Sequence, residues 1–397
     1  MPTVCLCFQV HQPYRLRPFS YFEIGRSQDF WNTSLNRDLM VRVAQRCYEP
    51  AVAVLDRVFD AVGQRFSCTF SLTGTAYEQM REYAPTALAA FKKLGCRAGV
   101  EFLGETYYHS LASFHENAES EFGRQVGMHR QLIEREFGKS PRVFRNTELL
   151  YDDRIGATIA SLGYDAVCVE GISGMTGYRE DRCVYRGAGS SLRLLARNRH
   201  LSDEIAFRFC RSGAQGGVLT PTDFVSRLTH GVEDDDAVFM LYLDFETFGE
   251  HLSESSGILR FLQDFPQLLL EESGWRFVTP SELIQQRCEA PDLTYPRTTS
   301  WADASQDTSP WLGNSMQQKV FSTLYAEGVS DKLVPEVWGR LQTSDHLYYL
   351  STKGGADGQV HQHFSPFESP YEAFIAYMNV LQATQTDVDK AQLAAGA

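Results

Sequence analysis

The sequence predicts an α/β fold in which parallel strands and crossover helices close, or nearly close, into a barrel. A helical region follows. Three observations predict this. Short apolar runs alternate with long amphipathic ones up to about residue 290. They give about seven or eight strands, a number that suits closure. No G-x-G-x-x-G turn follows the first strand, which counts against an open dinucleotide-binding sheet.

"TVCLCFQV" at 3–10 reads as the first strand, since an uninterrupted apolar run suits a strand buried on both faces. "DLMVRVAQRCYEPAVAVLDRVFDAVG" has helical period up to Gly63, with Pro50 starting a second helix or making a kink. "RFSCTFSL", "AGVEFLG" and "RVF" read as strands. The helices between them end at Gly95 and Gly138. "DRIGATIASLG" is helical, then "DAVCVE" and "LRLLAR" are strands, and "PTDFVSRLTHG" is a helix. "AVFMLYLD", the helix "ILRFLQDFPQLLLEE", the strand "RFVT" and the helix "PSELIQQ" complete a first domain, 1–289. From 290 to 397 only helical periods are read, so this stretch is assigned to a C-terminal helical domain.

The chain has 397 residues, 43% of them hydrophobic and 22% charged, which supports a large core and argues against disorder. A net charge of −13 argues against nucleic acid as a partner. Nine cysteines, an odd number without a C-x-x-C pair, fit reduced core thiols in a cytosolic protein. The N-terminus lacks a basic lead, so it reads as a strand and not a signal peptide. No apolar run is long enough to span a membrane.

In a parallel barrel the catalytic groups gather where strands end. Four strand exits carry polar clusters: "HQPY" from His11, Glu101 with "ETYYHS", Asn146 with Glu148, and "DFETFGEH" from Asp244 through Glu246 to His251. Helix capping explains any one of these acids but explains the four together poorly. Carboxylates from two strands are what a glycosidase needs: one as nucleophile or base, the other held protonated. Arg145 would keep a carboxylate ionised if it faced the same way as Glu148. In an extended strand Asn146 and Glu148 share a face. No catalytic metal or other cofactor is expected, because His109 and His115 are six apart and the "HQH" at 361–363 reads as a loop.

Five short regions in order, "HQPY", "VEFLGETYYHSL", "FRNTELLY", "LDFETFGEH" and "TPSE", resemble the α-amylase-type members of glycoside hydrolase family 57. The resemblance continues through "SWADASQDTSPWLGNSMQ" and "LQTSDHLYYLSTK", so it covers nearly the whole chain. It implies an incomplete (β/α)7 barrel whose site is completed by the helical domain. It further implies retaining cleavage of α-1,4 bonds in α-glucans, with Glu148 as nucleophile and Asp244 as general acid/base. It suggests that His11, Glu101, Glu246 and His251 bind sugar or orient the acids. Trp301 and Trp311, where the helical part begins, read either as inter-domain packing or as a sugar-stacking platform. Transglycosylation, or a catalytically silent glucan binder, are the competing expectations.

Overall fold

The computed structural model describes residues 1–115, 118–171, 183–232, 236–272, 274–286, 290–330, 333–354 and 365–395. Its strands are β1 (Thr3–Val10), β2 (Cys68–Leu72), β3 (Val100–Phe102), β4 (Val143–Arg145), β5 (Ala166–Glu170), β6 (Val184–Gly187), β7 (Arg193–Arg197), β8 (Val238–Asp244), β9 (Arg276–Phe277) and β10 (Asp292–Leu293). The hydrogen-bonded path β3-β2-β1-β8-β7-β5-β4 is parallel throughout. A parallel bridge between Gly104 and Phe144 joins β3 to β4 and closes the ring. The barrel is incomplete at one seam. β7 meets β8 only through Arg197 and Met240, because β6 runs antiparallel along the rest of that edge.

Alternation along the strands divides the core. Cys5, Cys7, Val143, Cys168, Leu195, Met240 and Tyr242 fill the barrel interior. Val4, Leu6, Phe8 and Val10 point outward and pack with residues of the helices Glu49–Val62, Pro85–Gly95 and Ile258–Leu269. Both faces of β1 are therefore buried, which is why its sequence is an unbroken apolar run. On the other side, Phe144, Val167, Val169, Leu194 and Ala196 share one apolar cluster with Trp311, Val320, Leu341, Leu347, Tyr377 and Val380. The chain after 290 thus covers the outer faces of β4, β5 and β7.

The reading of Pro50 as a helix start holds, and one reading past 290 needs correction. The helical period from Thr33 to Val62 is interrupted by a π turn at Ala44–Tyr48, and Pro50 sits in the first turn of the second helix. It starts that helix because its missing N–H costs nothing there. A strand also occurs past 290: β10 pairs with β6, too short a segment for periodicity to reveal. The "HQH" at 361–363 lies outside the described residues.

Candidate active site

The extended run from Val143 stops at Arg145. Glu148 then adopts φ 55° and ψ 27°, and Leu149 is left-handed as well. Such conformations cost a non-glycine residue about 1–3 kcal/mol, and surrounding contacts must hold them. Here Ser300 Oγ and the Trp301 backbone N–H both donate to the Glu148 carbonyl, at 3.0 and 3.3 Å. The turn aims the Glu148 carboxylate between two donors. Trp301 Nε1 donates to Oε2 at 2.7 Å and His109 Nε2 lies 2.8 Å from Oε1. The side chain keeps 20% of its surface exposed, so an incoming group can reach it. Burial works against its charge, but His109, Arg145 and Trp301 outweigh burial and hold its pKa below the ordinary value.

Arg145 is fully buried beside Glu148 and bonds Gln9. Its guanidinium lies 5.3 Å from the Trp301 ring and 5.7 Å from that of Tyr242. Asp244, half-buried, ends β8. Burial, then the negative charge of Glu148, push its carboxyl up to about 6, against the pull of Arg145, Arg197 and His109. The pKa values of the two carboxyls, one just beyond β4 and one at the end of β8, are thus driven apart. Glu246 is pushed up to about 8 by burial and then by the charge of Asp244, and it accepts from Tyr48 Oη at 2.5 Å.

His11 leaves β1 and stacks on His109, with centroids 4.0 Å apart. Its Nδ1 is 3.0 Å from Thr73 Oγ1 and its Nε2 is 3.0 Å from Asp345 Oδ2. Burial and then the His109 charge lower the His11 pKa, so a neutral ring accepts from Thr73 and donates to Asp345. Asp345 is held well below the usual carboxylate range by His11 and His109, against burial. Among the described residues, no group of three or more His, Cys, Asp or Glu side chains is arranged to hold a metal ion.

The family model for Glycosyl hydrolase family 57 matches residues 5–297, which include every residue just described except Ser300, Trp301 and Asp345. The chain belongs to this family. A relative from Methanocaldococcus jannaschii, described as "Putative alpha-amylase", is 35% identical over 395 residues, 94% of this chain and 82% of the relative. The family 57 fold is shared with solved structures. The branching enzyme of Pyrococcus horikoshii has TM-score 0.69 at 14% identity, covering 96% of this chain and 88% of that one. The alpha-amylase AmyC of Thermotoga maritima has TM-score 0.59 at 13% identity, covering 96% and 99%.

In this family 57 chain the cluster brings together Glu148, Asp244, Glu246, His11 and Trp301. Other expected residues fall elsewhere. Glu101 points toward the helix Pro280–Gln286, where it accepts from the Ser281 N–H at 3.0 Å and from Ser281 Oγ at 2.6 Å. It is a helix cap, and its assignment to sugar binding is withdrawn. Asn146 is still extended, but the left-handed turn at Glu148 carries the two side chains apart. Its amide donates to Ser113 Oγ and the Leu150 carbonyl, which braces the turn. Trp311 is 2% exposed, so packing accounts for it and a sugar platform does not. His251 is exposed, with its backbone N–H on the Glu246 carbonyl. Sequence reasoning placed Glu105 in a strand-exit cluster but gave no site role to His109 or Asp345. Both stand inside stretches that carry the family resemblance, so position alone was a usable signal.

Proposed function

We propose that this protein is a retaining glycosidase that cleaves α-1,4-glucosidic bonds in α-glucans such as glycogen, starch and maltooligosaccharides. The observation that carries the reading is the pair of carboxyls at two strand exits, Glu148 in the turn beyond β4 with a donor at each oxygen and Asp244 at the end of β8, whose surroundings drive their pKa values apart. Glu148, ionised and exposed on one edge, attacks the anomeric carbon. Asp244, protonated below about pH 6, gives its proton to the leaving oxygen. Forming the glycosyl ester removes the Glu148 charge, which drops the Asp244 pKa and turns it into the base that activates water. The M. jannaschii relative supports the amylase reading by its name. The eight described cysteines are all free, which supports work in the reducing cytosol.

Incubation with maltoheptaose and amylose, followed by chromatography, tests the reading. Shorter sugars alone are expected. Longer sugars as well would make the enzyme a transglycosylase, and unchanged sugar would make it a binder or an enzyme for another glycan.

A further inference from the structure

Two carboxylates, Glu105 and Glu148, meet a single ring, that of His109, beneath the mouth of the barrel. Glu105 is fully buried behind the nucleophile. Its Oε1 accepts from Ser71 Oγ at 2.9 Å, while Oε2 has no hydrogen-bond partner and lies 3.7 Å from His109 Nδ1. On the far side of the same ring, Nε2 meets Glu148 at 2.8 Å. His109 therefore stands between two carboxylates. Arg145 Nη1, which can only donate, lies 3.4 Å from Nδ1, beyond the ordinary hydrogen-bond range, and its charge offsets only one of the two negative charges. His129 does not supply the second positive charge. Its Nε2 donates to the Leu72 carbonyl and its Nδ1 accepts the Glu105 N–H, the pattern of a neutral ring. His11, stacked above, turns its Nε2 to Asp345 at 3.0 Å and so answers that carboxylate, not Glu105 or Glu148. Gln9 Nε2, 3.5 Å from His109 Nε2, adds no charge.

We infer that His109 is a positioning residue: an imidazolium clamped between Glu105 and Glu148 that orients the nucleophile as an anion and sets where both limbs of the pH–activity curve fall. This rests on the reading of Glu148 as nucleophile. The backbone is built for the clamp. His109 is itself left-handed, with φ 55°, and is held by its N–H on the Thr106 carbonyl and by the Ser344 N–H on its own carbonyl. The helical region thus fixes the ring by the backbone while the barrel supplies its charge partners. Burial opposes the charge, and so does Arg145, but the two carboxylates raise the ring to about 9.

The test is kcat/KM against pH on maltoheptaose for the wild type, His109→Gln and Glu105→Gln. Glutamine at 109 keeps a neutral donor for Glu148 but removes the charge. Without that charge both Glu148 and Asp244 lose a neighbour that favours their ionised forms. Both limbs are then expected to move to higher pH, by about 1–3 units for a charge at this range. Glu105→Gln removes the carboxylate that sustains the imidazolium, so it is expected to move both limbs the same way by less. It also carries the test if the variant at 109 does not fold. A structural loss would lower the curve without moving it. Glu148→Ala with added azide is run alongside. If that variant is inactive and rescued by azide while neither substitution moves the limbs, His109 is a neutral donor and only this inference falls. If Glu148→Ala stays active, the nucleophile reading falls, and this inference with it.

Discussion

Glu148 has a donor on each oxygen, and neither donor replaces the carboxylate as a nucleophile. Glu148→Ala is therefore expected to lower turnover of maltooligosaccharides by at least about 1,000-fold while the far-UV circular dichroism stays native. Azide should restore turnover and give the β-glycosyl azide, because one displacement inverts the α-bond; α-azide would contradict the assignment. For Asp244 the sign comes from its role. It must be protonated to act on free substrate, and burial with the Glu148 charge raises it to about 6. The curve of kcat/KM is thus expected to fall as pH rises through about 6, and to fall on the acid side only when Glu148, held low, takes up a proton. Asp244→Asn should abolish that alkaline limb. It should spare activated aryl glycosides, whose leaving groups need little protonation, while harming maltoheptaose severely. Equal losses on both substrates would remove Asp244 from the acid role.

At the scale of elements, strand exits were legible and turn conformation was not. Polar residues after an apolar run locate the ends of β1, β4 and β8 from sequence, because the buried run has to stop somewhere. The path of the chain beyond each exit depends on φ and ψ. Asn146 and Glu148 share a face only in an extended chain, and the left-handed turn at Glu148 sends them apart. Asn146 then braces the loop in place of touching the nucleophile. Glu101 misled for a related reason. It stands mid-strand in β3, level with Thr69 of β2 and, through it, with Cys7 of β1, well before the chain reaches the mouth. The helix after β9 brings Leu283 into the barrel-interior cluster, and Glu101 caps that helix through Ser281. Glu101→Ala would leave the Ser281 N–H and hydroxyl without their acceptor, a loss of about 1–3 kcal/mol. Lower denaturant midpoint with kcat on maltoheptaose within about twofold of wild type is the expected outcome. A large fall in kcat at unchanged stability would return Glu101 to the site.

Across the whole molecule, the sequence separates a barrel from a helical stretch, but the structure does not give the helical stretch a core apart from the barrel. Phe144, Val167, Val169, Leu194 and Ala196 on the outside of β4, β5 and β7 have the later helices as cover. The same later chain sends two groups back to the mouth: Trp301 to Glu148, and Asp345 to His11 across a separation of 334 residues. Contacts at that range leave no local pattern, so nothing in the sequence around Asp345 points to His11, and only its place in a stretch of the family resemblance marks it. They also bind the two regions thermodynamically. Ending the chain at 289 would expose an apolar face larger than soluble monomers ordinarily carry, and would leave Glu148 with one donor in place of two. The expectation is that residues 1–289 alone collect in the insoluble fraction or bind a hydrophobic dye, with no turnover. The complete chain should unfold in a single cooperative transition, because burying one shared cluster ties the loss of either part to the loss of both. A soluble 1–289 fragment with the barrel's native circular dichroism, or two separate transitions in the intact chain, would show that the barrel does not need its helical cover. Trp301 would then be a group added to a finished fold, and Trp301→Phe should cost activity without lowering the melting temperature. If the cover is structural, as the shared cluster argues, stability depends on the helices as a whole. Trp301→Phe keeps the ring against Arg145 and Tyr242 and deletes only the N–H on Glu148 Oε2. Its effect should then appear in kcat and in a raised acid limb, since the ionised nucleophile loses one of its two donors.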